Sequence, residues 1–169
     1  MVEKEINPKF NNLYKEMFNE ISNQLGLKSS IEKFKKIQFS YLTNLDKFFH
    51  KKCPNEFEWV EKNSIIKEGK MEPAKGIDNK EYEKKTTELN ECIKRNDKGL
   101  TEVVANFEKE FRDFNEKITQ DVTVCAKMKQ DDEMKKCIRE KLLAGSKNLM
   151  EVFGKYEKQF ETLNDNIKL

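Results

Sequence analysis

Histidine is nearly absent from this 169-residue sequence, in which His50 is the single example. A ferritin-like di-metal bundle needs a Glu-x-x-His motif on each of two helices, so one histidine cannot build it. The haem-attachment motif Cys-x-x-Cys-His and the close Cys-x-x-Cys pairs of zinc sites are also missing. Because no nucleophile motif accompanies His50, we interpret it as an ordinary helix-end residue and predict no catalytic, cofactor-binding or metal-binding residue.

Glycine and arginine are scarce as well, with six glycines and three arginines in the chain. Neither the phosphate-binding motif Gly-x-x-x-x-Gly-Lys nor the dinucleotide-binding motif Gly-x-Gly-x-x-Gly occurs. Lysine and glutamate are interleaved along the sequence and leave a net charge of only +2. Nucleic-acid-binding proteins concentrate basic charge and use arginine on phosphates and guanines, so this composition argues against a nucleic-acid partner.

Long apolar runs are missing too. No segment approaches the roughly 18 apolar residues of a transmembrane helix, so we predict no membrane span. The N-terminus has no apolar signal core, and Glu3 and Glu5 do not fit an acid-poor transit peptide. With no secretory signal visible, we consider the cytoplasm with its cytoskeletal assemblies and the mitochondrial intermembrane space, whose helical proteins carry paired cysteines. The twin Cys-x9-Cys pattern of the latter is absent.

Large apolar side chains, by contrast, are plentiful and regularly spaced: the chain has 12 Phe, 4 Tyr and 1 Trp. In four segments the apolar residues recur at intervals of three and four, which is the period of an amphipathic helix. The pattern predicts an all-α protein that consists of a single helical domain over residues 1–169. Its helices are expected at about 8–25, 30–52, 79–119 and 131–167.

The third and fourth predicted helices carry apolar residues at heptad spacing. In the third, Ile93, Leu100, Phe107 and Phe114 repeat every seven residues, which is typical of coiled-coil packing. Gly99 weakens this helix by about 1 kcal/mol, but the heptad phase continues past it, so we expect one bent helix. We therefore predict a four-helix-bundle-like fold in which two shorter helices pack on a long antiparallel helical hairpin.

The segment at about 54–78, between the second and third helices, contains two prolines and two glycines that interrupt the helical pattern. We expect a long irregular loop here, with a short strand or hairpin as the alternative. A passive linker would be polar and flexible. This segment instead contains six apolar or aromatic side chains that we predict to contact a partner: Phe57, Trp59, Val60, Ile65, Ile66 and Met71. In the alternative interpretation, they cap one end of the bundle.

Four cysteines, Cys53, Cys92, Cys125 and Cys137, allow three interpretations. They are reduced and pack as small apolar residues, they form two disulfides, or they bind zinc, which is disfavoured because no closely spaced ligand pair is present. If disulfides form, the antiparallel arrangement selects the partners. One pair of cysteines lies close to the turn between the long helices and the other flanks the 54–78 segment, which predicts Cys53–Cys92 and Cys125–Cys137.

Three functions agree with these features. We expect first a non-enzymatic structural or accessory subunit of a larger assembly, which binds other protein subunits through helix packing and the 54–78 segment. The alternatives are a helical binding protein that holds an apolar small ligand or lipid in the bundle, and a regulatory inhibitor that presents the 54–78 segment to an enzyme. The ligand alternative depends on an aromatic stripe along the two long helices: Phe107, Phe111, Phe114, Phe153, Tyr156 and Phe160.

Overall fold

The computed structural model describes residues 8–167 and is an all-α, bundle-like protein, which confirms the predicted fold class. The remaining residues of the predicted domain, 1–7 and 168–169, lie outside the described part. No helix between residues 8 and 167 is both long and apolar enough to cross a bilayer. The elements in chain order are α1 (Pro8–Leu25), α2 (Leu27–Lys52), α3 (Pro54–Lys62), β1 (Ser64–Lys67), β2 (Lys70–Pro73), α4 (Asn79–Asp97), α5 (Glu102–Thr123), a 3-10 turn (Val124–Lys127) and α6 (Asp131–Ile167).

A single glycine separates α1 from α2. Helix α1 spans the predicted residues, whereas α2 begins at Leu27 and not at about residue 30. Gly26 has a φ of 62°, the left-handed conformation that commonly ends a helix. Its carbonyl oxygen accepts a hydrogen bond from Ser30 N, so α2 starts directly after the turn.

Two helices, α4 and α5, replace the one bent helix predicted over 79–119. The chain turns at Lys98 and Gly99, whose φ angles are 41° and 85°. The Asp97 carboxylate then accepts hydrogen bonds from the backbone N–H and the hydroxyl group of Thr101. These hydrogen bonds fix the turn that separates the two helices. The heptad pattern missed this turn because it counts apolar positions and takes no account of polar contacts within a turn.

The 54–78 segment is also not the irregular loop that was expected, because it forms α3 and a hairpin of β1 and β2. Pro54 occupies the first turn of α3, where its missing N–H is not needed. The antiparallel strands are joined by Glu68 and Gly69, with φ angles of 52° and 75°. Positive φ at both central residues is the geometry of the tight two-residue turn, so Gly69 belongs to a hairpin.

The described chain divides into two compact units. The first contains the residues up to Gln38 together with Val103–Glu161. Within it α5 and α6 are antiparallel, because Ile118 lies against Gly145 and Glu110 lies against Lys155. Their close approach depends on Gly145, because a Cβ atom at this position would clash with Cδ1 of Ile118. One core cluster of this unit combines residues of α1, α5, α6 and the 3-10 turn: Met17, Ile21, Val122, Cys125, Met134, Ile138 and Leu142.

The second unit contains Phe39–Glu102 and the residues from Thr162 onward. Its core cluster is small and consists of Cys53, Val60, Leu89 and Cys92, with Phe57, Trp59 and Ile93 packed against them. Polar contacts add to it: the Tyr41 hydroxyl donates a 2.5 Å hydrogen bond to the carbonyl oxygen of Leu100. Burial, with the nearby charge of Asp97, raises the pKa of Tyr41 to about 12. The single domain remains a prediction.

Candidate functional site

The six predicted partner-contact residues fall into two groups, both within the second unit. Phe57, Trp59 and Val60 lie on α3 and pack against the core cluster around Cys53 and Cys92. The other three lie on the hairpin, where Ile65, Ile66 and Met71 are 47%, 81% and 61% exposed. The structure thus does not bring the six side chains to one surface.

His50 lies near the end of α2 and contacts α3. Its Nε2 is 2.6 Å from Oε1 of Glu61, its Nδ1 is 2.8 Å from the carbonyl oxygen of Asp46, and its ring stacks on Phe57. Partial burial acts to lower the pKa of His50, but the hydrogen bond to Glu61 and the contacts with Asp46 outweigh it and raise this pKa. Through these contacts His50 links α2 to α3.

The four cysteines lie in two pairs at disulfide distance, one in each unit. The Cα atoms of Cys53 and Cys92 are 6.1 Å apart, and those of Cys125 and Cys137 are 5.7 Å apart. Both values lie within the range that a disulfide can bridge. The two pairs are those that the sequence predicts for the case in which disulfides form.

Aromatic side chains cluster in the first unit, between α2, α5 and α6. Phe34 is central: its ring centroid is 4.6 Å from that of Phe107 and 4.6 Å from that of Phe153. Phe107 also contacts Phe111 and meets Tyr156 edge to face. Five of the six residues of the predicted stripe, all except Phe114, therefore form one cluster of ring contacts, to which α2 adds Phe34.

An apolar cavity of about 440 Å³ opens beside this cluster and is called here the aromatic pocket. Ligand sites commonly occupy roughly 300–1,000 Å³ and are lined mainly by apolar and aromatic side chains. Of the predicted stripe, Tyr156 and Phe160 are buried outside the lining, whereas the other four belong to it. The lining consists of Tyr14, Phe18, Leu27, Ile31, Phe34, Lys35, Gln38, Phe107, Phe111, Phe114, Asn115, Ile118, Leu142, Ser146, Leu149 and Phe153.

A second concavity continues from the aromatic pocket along α1 and α2 and is called here the polar groove. The two share Phe18, Leu27, Ile31 and Lys35, so they are adjacent. The rest of the groove lining is polar or charged: Asn19, Ser22, Asn23, Lys28 and Glu32. The site thus combines an apolar cavity with a hydrophilic extension on one side.

Polar contacts fix α5 against α6 near the aromatic cluster. Lys155 Nζ donates a 2.8 Å hydrogen bond to Oε1 of Glu110. This hydrogen bond lowers the pKa of Glu110 and raises the pKa of Lys155, while burial and then Glu110 raise the pKa of Tyr156. The ion pair of Lys155 with Glu110 therefore links α5 to α6 on the side of the aromatic cluster next to Tyr156.

Sequence reasoning missed the contribution of α1 and α2 to the pocket. The helical stripes of α1 and α2 include Tyr14, Phe18 and Phe34. Apolar residues at helical spacing are usually interpreted as core, so the pattern did not mark these three as part of a pocket. The width of these stripes could have indicated the pocket. An apolar face that is wider than its contact with the neighbouring helix leaves some apolar residues at the edge of that contact. Phe18, 41% exposed, is such an edge residue.

Comparison of the sequence with protein-family models and with curated proteins gives no match, and comparison of the fold with solved structures gives none either.

Proposed function

We propose that this chain is a non-enzymatic helical binding protein that holds an apolar small molecule in the aromatic pocket of its first unit. The observation that carries the proposal is the lining of the pocket. The concavity of about 440 Å³ is partly open to solvent, and six phenylalanines line it. Ligand sites are typically concave and lined by apolar and aromatic side chains, so we favour a ligand over an ordinary surface groove.

The chemistry of the lining supports an apolar ligand. Four of the sixteen lining residues, Lys35, Gln38, Asn115 and Ser146, have polar side chains, and the others are aliphatic or aromatic. Moving apolar surface from water into such a site contributes about 0.8 kcal/mol for each buried CH₂ group. A hydrocarbon chain or an aromatic ring system therefore gains more from this pocket than a sugar or a nucleotide does.

A fluorescent probe tests the proposal directly. Neutral N-phenyl-1-naphthylamine, which fluoresces strongly in apolar surroundings, should bind the purified protein saturably and with one site per chain. Ser146→Leu extends a side chain into the pocket and should weaken binding. Ala144→Leu, an exposed position two residues earlier on the same helix and outside the lining, is the matched control. Absence of saturable binding by the wild-type protein would contradict the proposal.

Native mass spectrometry of the protein purified from its source provides an independent test. A ligand held in the pocket would add a discrete small mass to the single chain. Extraction into organic solvent should then release an apolar compound. A chain that carries only other protein subunits would favour the second candidate function.

The second candidate is an accessory subunit that binds other proteins through the hairpin. Ile66 and Met71 are cross-strand partners, so their side chains lie on the same face of the hairpin, and they are 81% and 61% exposed. Exposed apolar side chains on one face are typical of a protein-binding surface. The partner would be either another subunit of an assembly or an enzyme that the hairpin inhibits. Ile66→Ser with Met71→Ser should leave the melting temperature unchanged and abolish co-purification of the partner.

A further inference from the structure

The polar groove carries an excess of positive charge beside the aromatic pocket. Lys28, Glu32 and Lys35 follow one another at helical spacing along α2 and line the groove together. Two positive side chains and one negative side chain leave one positive charge at this opening. Lys35 also lines the aromatic pocket, so this charge lies where a ligand would pass from one concavity into the other.

These two lysines are not engaged elsewhere. No ion pair of Lys28 or Lys35 occurs within residues 8–167, whereas neighbouring Lys33 lies 3.6 Å from the carboxylate of Glu157. An exposed lysine without a partner is ordinary, but two of them on the wall of a groove that opens into an apolar cavity give that groove an electrostatic preference. A bound anion would contact lysines that lose no existing ion pair.

The groove also contains a polar atom that lacks a partner. Ser22 Oγ is buried and makes no hydrogen bond within the described residues. A buried hydroxyl group without a partner is costly, and Ser22 lines the polar groove with the amide side chains of Asn19 and Asn23. These groups supply hydrogen-bond donors at the place where the two lysines supply charge.

We infer that the ligand is a single-chain amphiphile with a carboxylate head, that is, a fatty acid. Its hydrocarbon chain occupies the aromatic pocket, and its carboxylate lies in the polar groove between Lys28 and Lys35, where Ser22 donates a hydrogen bond to it. A carboxylate carries one negative charge and matches the single net positive charge of the groove, whereas a phosphate monoester carries about −1.5 to −2. This inference rests on the proposed apolar pocket and adds the chemistry of the ligand head.

Displacement of N-phenyl-1-naphthylamine by three ligands of equal chain length tests the head group. Dodecanoate, dodecan-1-ol and dodecyl phosphate should each displace the probe from delipidated protein at pH 8 and low salt. Charge-assisted hydrogen bonds favour the carboxylate over the alcohol, by roughly tenfold in the concentration for half displacement. Equal displacement by acid and alcohol overturns the inference, and so does tighter binding of the phosphate.

Charge reversal identifies the residues. Lys28→Glu with Lys35→Glu should weaken dodecanoate by roughly tenfold or more, since attraction becomes repulsion, and should change dodecan-1-ol and the neutral probe less than twofold. Lys36→Glu with Lys47→Glu makes the same total charge change at exposed positions of α2 outside both linings and serves as the control. Equal loss of dodecanoate in the control would overturn the assignment to the groove. Failure of the probe itself to bind the wild-type protein would instead remove the proposed function.

Discussion

The two compact units of this chain use their apolar residues differently. The first unit brings large aromatic rings together from several helices, and the rings surround an opening of about 440 Å³. The second unit has a small core cluster, and its elements are linked by individual contacts, among them Cys53 with Cys92 and the Tyr41 hydroxyl with Leu100. Aromatic stripes from several helices thus surround a cavity in the first unit, whereas individual side-chain contacts link the elements of the second.

The largest expected difference between the units concerns the cysteine pairs. If both pairs are oxidised, loop entropy gives the 39-residue separation of Cys53 and Cys92 a stabilisation of about 4 kcal/mol, and the 12-residue separation of Cys125 and Cys137 about 3 kcal/mol. Replacing each pair by serine and measuring urea denaturation should give losses in this order.

Peptide mapping without reductant supplies the control for this prediction, because it reports the pairing directly. Peptides that link Cys53 to Cys92 and Cys125 to Cys137 are expected. A peptide that links Cys92 to Cys137 would contradict this pairing, in which each disulfide lies within one unit. A denaturation midpoint of the wild-type protein that does not respond to dithiothreitol would show that the thiols are already reduced.

Matched leucines probe packing in the two units. Leu149 in the first unit and Leu100 in the second are 8% and 7% exposed. Each Leu→Ala change should cost about 2–5 kcal/mol in the free energy of unfolding. We expect the loss to be smaller at Leu149, because this side chain already borders the aromatic pocket and lacks packing partners on that side. A greater loss at Leu149 would mean that the pocket is closed in solution.

Some features of the two units were predictable from the sequence. The all-α class, the extent of α1 and the candidate disulfide pairs follow from apolar periodicity and from cysteine positions along the predicted helices. Periodicity also places Phe107 and Phe153 on inward stripes. It does not reveal an opening, because the space between stripes depends on how several helices pack and not on the pattern within each of them.

The second unit was less predictable, for a physical reason. Its turns depend on single residues: Asp97 accepts a hydrogen bond from the backbone N–H of Thr101 and Gly99 has positive φ, although the heptad pattern runs through both positions. The hairpin depends likewise on Glu68 in a left-handed conformation, which is uncommon for a residue with a side chain. Local polar contacts and unusual backbone angles decide this unit, and apolar patterns do not register them.

Substitution of Trp59 distinguishes a structural role of the 54–78 segment from a partner-binding role. This half-buried ring packs against the core cluster of the second unit, lies near Tyr82 and is covered by the Lys85 ammonium group. Trp59→Ala should therefore lower stability by about 1–2 kcal/mol, less than a fully buried aromatic would. Exposed Ile66→Ser is the matched change on the hairpin and should leave the melting temperature within about 1 °C.

The two variants also separate partner binding from folding. A partner that docks on the hairpin is lost with Ile66→Ser although the protein remains folded. A partner that is lost only with Trp59→Ala, in a protein with unchanged melting temperature, would show that α3 is the docking element. That result would contradict the packing role that the structure gives to Trp59.

The smallest expected effect is the pH dependence of the link between α2 and α3. Because Glu61 and Asp46 raise the pKa of His50 in the folded protein, its proton is bound more tightly there than in the unfolded chain. The stabilisation is therefore complete below the ordinary histidine pKa of about 6.5, and it is lost as the pH rises through the raised pKa. Melting temperatures of the wild-type protein and His50→Gln should differ most near pH 5.5 and least near pH 8.5, whereas a difference that grows with pH would contradict the ion pair with Glu61.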